Sequence, residues 1–493
     1  MMTTHRIDRV HGVSDVLPDE YRALREIQTQ IEATYARSGY ISIAVPILEY
    51  TDLFLRKSGE AIITRLYDFQ YRNRRLCLRP ELTASAIRAY LDHLQAEPLP
   101  VRLAYAGPVF RYETPQSGQP RQFTQSGVEL IGANGAMADA EIIHLAAHGL
   151  DTVGITNYRL IIGHVGPLLH FLHRLDLNKR LRSFLLLHME TLRTAGVERL
   201  TELITEIDPS FNSGTPQPSA EIAATDSQLL ALAHSTISTS GGTRDQAEII
   251  AGFLTKISRR DQTAALHRAL EFMSALCELS GDPQTVLTEA AQLLTHFDSE
   301  PAPLNELSQL IDLLAAYGLD SSRITLDLGL TRGLQYYTGT VFELHHDDLG
   351  PADPLCGGGR YDELVGVLGG PANIAATGSA YHLERLRRAR ALEQQPTAAP
   401  DLDAIIIPAT EADFRRAIQI AEGLRAANLH IELSLTAQAL PDAPTSAAAR
   451  NIPVAVIVDA DAAAVGVHQL PTGSETQMPA AQLADYIRQH KIR

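Results

Sequence analysis

Two blocks of strand-like sequence flank a long Leu/Ala-rich helical stretch, from about Leu175 to Leu319, and that interruption limits what the chain can fold into. Strand texture that stops and later resumes predicts one sheet assembled from two separated parts of the chain, with the helices between them as an insertion. The first block opens at residues 15–37, where Leu24, Ile27, Ile31 and Tyr35 recur at helical spacing behind an Asp/Pro start. It continues through the strand YISIAVPILEY, a hairpin turning around Arg72 to Arg75, and a helix at TASAIRAYLDHL. A long antiparallel hairpin follows: VRLAYAGPVFRYE, with Val101, Leu103 and Tyr105 on one face, the loop TPQSGQP, and RQFTQSGVELIG. A helix at ADAEIIHLAAHGLDTVG and a strand at NYRLIIG complete the block.

The helical stretch is itself broken by the polar runs SFNSGTPQPSAEIAATDSQ and STISTSGGT. Strands resume at RITLDLGLTRGLQYYTGTVFELHH, followed by a Gly-rich turn at CGGGRYDEL and a strand-to-helix passage at AATGSAYHLERLRRA. The expected divisions are a core in residues 1–174, a helical insertion 175–320, the rest of the core 321–392, a linker 393–400 and a small domain 401–493. In that last domain DAIIIPA, FRRAIQIAEGLRAA, HIELSL and VAVIVDA alternate strand and helix. The class predicted is α/β (α+β), an antiparallel core with a helical insertion and a small C-terminal α/β domain.

At 493 residues and 45% hydrophobic composition the chain can bury more than one core. It lacks an apolar run of about 18 residues, and its first dozen residues lack the apolar stretch of a secretory signal, so a cytoplasmic, non-membrane protein is expected. Cys77, Cys277 and Cys356 are far apart without CxxC spacing, which predicts buried thiols and no metal site. A net charge of −16 argues against a surface coated for phosphate backbones, though a local basic patch would still serve RNA.

Singly, the polar residues of these segments are weak signals. Arg111 in FRYE has the setting of an ordinary surface arginine, Glu81 in RPELT could simply begin a helix, and GGGRYD could be a turn that needs positive φ. Their order is stronger. LRPELTASAIRAY, FRYETPQSGQPRQFTQSGVE, RGLQYYTGTVFE and LERL resemble, in sequence, the LRPEGT segment, motif 2, the RGLDYY segment and the end of motif 3 of histidyl-tRNA synthetases. The resemblance implies a class II aminoacyl-tRNA-synthetase-like core. It assigns Glu81, Thr83, Gln125 and Glu129 to the ammonium end of free histidine, Tyr336 and Tyr337 to its imidazole, and Arg111 and Arg332 to the carboxylate beside a phosphate. Arg111, Glu113, Arg121, Phe123 and Arg385 fall at the family's ATP-contacting positions.

Three departures shift the expectation. His382 stands before LERL where the family has glycine, which argues for a vestigial nucleotide seat; Leu82 replaces glycine in LRPEGT; and Gln335 replaces the aspartate of RGLDYY. From Asp401 to Arg493 there are 7 Lys/Arg against 11 Asp/Glu, so the anticodon-binding-like domain looks degenerate and tRNA is not expected as a partner. The phrase GHVG after NYRLII resembles the regulatory subunit of ATP phosphoribosyltransferase, a synthetase paralogue that usually ends after the core. The expectation is therefore a non-catalytic subunit that binds L-histidine and no cofactor. It would form a homodimer within a hetero-oligomer with the catalytic short-form transferase and feedback-regulate histidine biosynthesis allosterically. The alternative is a histidine–tRNA ligase using Mg-ATP, with Arg111, Arg332 and Arg385 active.

Overall fold

A computed structural model describes residues 7–56, 64–113, 119–207, 262–330, 336–351, 353–372, 374–393, 402–436, 452–459, 462–470 and 472–490. It divides into two compact units, Met1–Gln394 and Gln395–Arg493.

In the first unit the strands run β1 (Ile41–Ser42), β2 (Leu48–Tyr50), β3 (Tyr67–Tyr71), β4 (Arg74–Leu78), β5 (Val101–Phe110), β6 (Gln122–Ile131), β7 (Tyr158–His164), β8 (Ser280–Gly281), β9 (Ile324–Asp327), β10 (Thr340–His346), β11 (Cys356–Arg360) and β12 (Ala376–His382). Nine of them form one sheet in the order β1-β5-β6-β12-β11-β10-β7-β9-β8, antiparallel except for the β1/β5 and β7/β9 pairs. β6 and β12, separated by over two hundred residues of chain, are neighbours, as a core interrupted by an insertion requires.

Alternation along the strands decides the two faces. Val128 and Leu130 of β6 enter a cluster with Ile27, Ile31 and Tyr35 of α1 (Pro18–Arg37) and Ile142 and Ile143 of α3 (Ala136–Thr152), while α2 (Thr83–His93) lies elsewhere. Glu129, one residue between them, faces the other side, where Leu103 and Tyr361 pack. The helical stretch resumes as α4 (Gly166–Arg174), α5 (Lys179–Leu187), α6 (Met189–Ile207), α7 (Thr263–Glu278), α8 (Pro283–His296) and α9 (Ala302–Ala316). Leu270, Phe272, Leu307 and Leu314 from these helices enter the same cluster as α1, so they share the sheet's covered face. Each such side chain taken out of water contributes about 1.5–3 kcal/mol. Both polar runs, SFNSGTPQPSAEIAATDSQ and STISTSGGT, lie outside the described residues.

Two local expectations change. YISIAVPILEY is not one strand: β1 and β2 are separate around Pro46, whose nitrogen has no hydrogen to donate to a ladder. CGGGRYDEL is not a turn: Cys356–Arg360 is a central strand, and its glycines answer crowding, since a Cβ on Gly358 would fall 2.1 Å from the Gly378 carbonyl oxygen. Arg360 makes a bidentate, buried pair with Asp139 of α3 (2.7 and 3.2 Å), tying β11 to the helical layer. The β3–β4 hairpin turns at Arg72 and Asn73, both at positive φ (45° and 63°), the pattern a two-residue hairpin loop demands.

α10 (Leu383–Glu393) follows β12 directly. The second unit is a five-stranded sheet, β14-β13-β15-β16-β17, of β13 (Ala404–Pro408), β14 (Ile431–Leu433), β15 (Val454–Val458), β16 (Val465–Gln469) and β17 (Ser474–Met478), with helices α11 (Phe414–Ala426) and α12 (Leu483–Gln489). The first three strands are parallel and the last two antiparallel. Among the described residues no helix is long and apolar enough to cross a membrane.

Candidate functional site

The opposite face of β5, β6 and β12, against which α2 packs, carries the candidate residues in rows fixed by strand register. Leu103, Glu129 and Gly378 form one row, Tyr105, Gly127 and Ala380 the next, then Gly107, Gln125 and His382, and finally Val109 and Phe123. At about 3.3 Å per residue, Glu129 and Phe123 lie roughly 20 Å apart along the strand. One strand thus supplies both ends of the site.

At the Glu129 end the carboxylate is wholly buried. It accepts hydrogen bonds from the Tyr105 hydroxyl (2.7 Å) and from the Tyr361 hydroxyl. A Cβ on the paired Gly378 would lie 1.8 Å from Glu129 Oε2, so glycine there makes room for the carboxylate. Burial pushes Glu129 up to about 8, against the two tyrosines, which favour the anion. Glu81 is also buried and raised by burial; its oxygens accept the N–H groups of Thr83 (2.5 Å) and Ala84 (3.0 Å) at the start of α2. Its helix-starting role is therefore real, and it coexists with a place beside the pocket. Thr83 Oγ1 lies 3.4 Å from the Tyr105 hydroxyl, closing a polar chain from Thr83 through Tyr105 to Glu129. The Tyr336 ring meets Tyr361 edge-on (5.7 Å) and Tyr337 at a tilt (4.8 Å).

The structure thus brings together five of the expected histidine contacts: Glu81, Thr83, Glu129, Tyr336 and Tyr337. Arg332 and Gln335 lie outside the described residues. Tyr105 and Tyr361 were missed. Tyr105 had a signal, for it shares the inward face with Val101 and Leu103, where a tyrosine hydroxyl must find a partner; Tyr361 was hidden by reading GGGRYD as a turn.

Gln125, Arg111, Glu113, Phe123 and Arg385 line a cavity at the other end. The Gln125 Oε1 atom is buried and without a hydrogen-bond partner. Arg111 donates from Nε to the Pro80 carbonyl (2.9 Å) and lies over the Phe123 ring, 5.1 Å from its centroid. Arg385 donates to the Pro354 carbonyl (2.9 Å) and pairs with Asp353 (3.1 Å). Arg121 is clamped by backbone: it donates to the carbonyls of Glu113 (3.0 Å) and His11 (3.1 Å) and covers the Tyr112 ring. Glu113 pairs with Arg65 (3.1 Å). Leu82 packs beneath Phe123 in an apolar cluster with Ala86, Tyr105 and Val109.

This sheet with its interrupting helices is the class II aminoacyl-tRNA synthetase fold. The chain superposes on the histidyl-tRNA synthetase of Nostoc sp. with a TM-score of 0.67 at 21% identity, covering 99% of this chain and all of that one. It also superposes on an ATP phosphoribosyltransferase regulatory subunit/histidyl-tRNA synthetase from Bacillus halodurans (TM-score 0.64, 24% identity, 93% and 100% covered). These likenesses establish the fold alone. The histidyl-tRNA synthetase family model matches residues 12–386. The histidine–tRNA ligase of Thermococcus kodakarensis is 31% identical over 95% of both chains, and that of a Synechococcus species 32% identical over 98% of both. The chain belongs to the histidyl-tRNA synthetase family.

These relatives overturn the expectation of a non-catalytic regulatory subunit, and with it the expected place in histidine biosynthesis and the expected lack of enzymatic activity. Similarity to ligases extends through the C-terminal unit, beyond where the regulatory paralogue usually ends. The features behind that expectation are local. GHVG is a backbone device: His164 Nδ1 accepts the Gly166 N–H (3.0 Å) where α4 begins, and a Cβ on Gly166 would strike the His164 ring at 2.6 Å. Leu82 fills an apolar gap.

Proposed function

We propose that this chain is a histidine–tRNA ligase of the cytoplasm, using Mg-ATP and tRNA as substrates. The observation that carries the reading is the buried Glu129 carboxylate, held between two tyrosine hydroxyls beside Glu81, in a chain whose full-length relatives bear the ligase name. Two buried carboxylates close to one another favour a cationic guest, here the histidine ammonium, with Thr83 as a further polar contact. Tyr336 and Tyr337 would meet the imidazole, which needs both a donor and an acceptor.

Arg332 and Arg111 would hold the histidine carboxylate against the α-phosphate, neutralising two anions that otherwise repel. A carboxylate oxygen bonds to the α-phosphorus, the bond to the β-phosphate oxygen breaks, and pyrophosphate leaves. A terminal tRNA hydroxyl then attacks the activated carbonyl carbon, and AMP departs. The reading needs tRNA despite the acidic balance of residues 401–493. Leu48, Tyr50, Phe69 and Tyr71 expose an apolar patch on the β2-β4-β3 sheet, which fits pairing with a second copy of the chain; its test is the solution mass.

The deciding experiment is histidine-dependent ATP–pyrophosphate exchange, followed by charging of tRNA with radiolabelled histidine. Both should proceed with the purified chain. Absence of exchange from folded protein that binds histidine would sink the ligase reading.

A further inference from the structure

The cavity at the Phe123 end is almost filled by the protein itself. His382 stacks face to face on Phe123, with ring centroids 4.1 Å apart and planes 4° from parallel. What is left beside Arg111 and Arg385 is about 80 Å³, against the roughly 300 Å³ or more that a small-molecule site encloses. A stacked planar heteroaromatic is also the arrangement that a nucleotide base takes on an aromatic side chain. The ring occupying Phe123 here is the chain's own.

Register explains how it gets there. His382 ends β12 opposite Gln125, and Phe123 is two residues along β6 on the same face, a diagonal neighbour within reach of an aromatic side chain. His382 Nδ1 lies 3.3 Å from a Glu384 carboxylate oxygen without a hydrogen bond to it, and both Glu384 oxygens accept the Thr124 N–H (2.9 and 3.0 Å). Burial holds the imidazole below its usual pKa, so it stacks as a neutral ring.

We propose that His382 occupies the seat of the nucleotide base and sets the chain's affinity for ATP, because the base can stack on Phe123 only after the imidazole has swung away. The inference rests on the ligase reading for the identity of the nucleotide. A site competent only in a minor conformer binds with its intrinsic affinity reduced by that conformer's fraction. With one aromatic stack to break, the reduction is about tenfold. Histidine binding, set at the Glu129 end, should not feel it.

The test is equilibrium dialysis of Mg-ATP against the full-length chain and its His382→Gly, His382→Ala and His382→Phe variants, with histidine affinity and pyrophosphate exchange measured in parallel. The Gly and Ala variants should bind Mg-ATP about tenfold more tightly, the Phe variant no better than the parent, and all four should bind histidine alike. In the unaltered chain, the ring-current-shifted His382 Cε1–H resonance should move toward its exposed position on adding Mg-ATP, a readout needing no variant. Equal Mg-ATP affinity across the series, no Mg-ATP binding by any form, or an unmoved resonance at saturating nucleotide would overturn the proposal. Tighter nucleotide binding without exchange in any form would leave the seat-filling role standing while the ligase reading fails. Robust exchange with unchanged nucleotide affinity would do the reverse.

Discussion

The two ends of β6 face the same side of the same sheet and are built on opposite plans. Around Glu129, glycines at 127 and 378 make room for fixed polar side chains: a Cβ at Gly127 would lie 2.9 Å from the Tyr105 hydroxyl, and one at Gly378 would strike the carboxylate. Around Phe123, the position where the family keeps a glycine carries His382, and the space is filled. Amino-acid recognition here depends on buried polar groups whose partners are fixed. Nucleotide recognition depends on which way one side chain points. The first should respond to substitution steeply, the second modestly.

The largest effect separating the two ends is expected from Glu129→Gln. The amide keeps the volume and loses the charge that faces the histidine ammonium, and breaking a buried charge pair costs about 3–5 kcal/mol, so histidine binding should weaken by a factor of roughly 10²–10³. Mg-ATP affinity should stay within about twofold, since separated sites act additively. Calorimetric titration with each ligand checks both. Equal loss at the two ends would break the comparison.

Tyr361→Phe is milder. It removes one of the two hydroxyls that donate to Glu129, and a hydrogen bond to a charged group is worth about 1.5–3 kcal/mol. Histidine KM in the exchange assay should rise at least tenfold. Because that hydroxyl favours the anion, its loss should also move the pH midpoint of histidine binding in the alkaline direction. An unshifted midpoint would show that Tyr361 only fills space.

The pH dependence itself comes next in size. With its carboxyl pushed up to about 8, Glu129 is mostly protonated in the empty pocket at neutral pH and must release that proton to receive an ammonium. Histidine affinity should therefore improve about fivefold from pH 7 to pH 8, with proton release that grows as pH falls below the midpoint. Stability runs the other way. The folded value lies above the unfolded one, so this group's contribution is complete below the ordinary glutamate range near 4.5 and is lost as pH rises through about 8. Thermal melts of the ligand-free protein should show that decline, and Glu129→Gln should abolish both trends.

Much of this site was legible before any coordinates. The resemblance of contiguous motifs to those of histidyl-tRNA synthetases assigned Glu81, Thr83, Glu129, Tyr336 and Tyr337 to an amino-acid pocket, and their residue types have the donor and acceptor roles it needs. Tyr105 and Tyr361 were not read, because a tyrosine in an apolar alternation looks like core until the carboxylate it serves, on another strand, is placed beside it. The strand at Cys356–Arg360 was misread because glycine signals freedom in isolation, whereas here it answers crowding from the Gly378 carbonyl on the next strand. The hairpin β16–β17 and the closing helix α12 went unread in a stretch with little apolar periodicity. His382 was flagged as an intruder on the nucleotide, but its parallel stack on Phe123 is a matter of cross-strand register that no single segment contains.

The smallest effect tests the phrase that pointed furthest from the enzyme. If GHVG serves only the backbone, His164→Ala should cost stability and nothing else. The variant loses the ring that accepts the Gly166 N–H (3.0 Å) and that lies 3.3 Å from Glu306 through Nε2, a cap-like loss of about 1–2 kcal/mol, read as a fall of a few degrees in Tm. His164 ends β7, which lies four strands from β6 in the sheet order, so both ends of the site should keep their affinities for histidine and Mg-ATP. A fall in histidine affinity at unchanged Tm would instead tie this turn to the pocket, and the contrast between the two ends of β6 would have to include a third region.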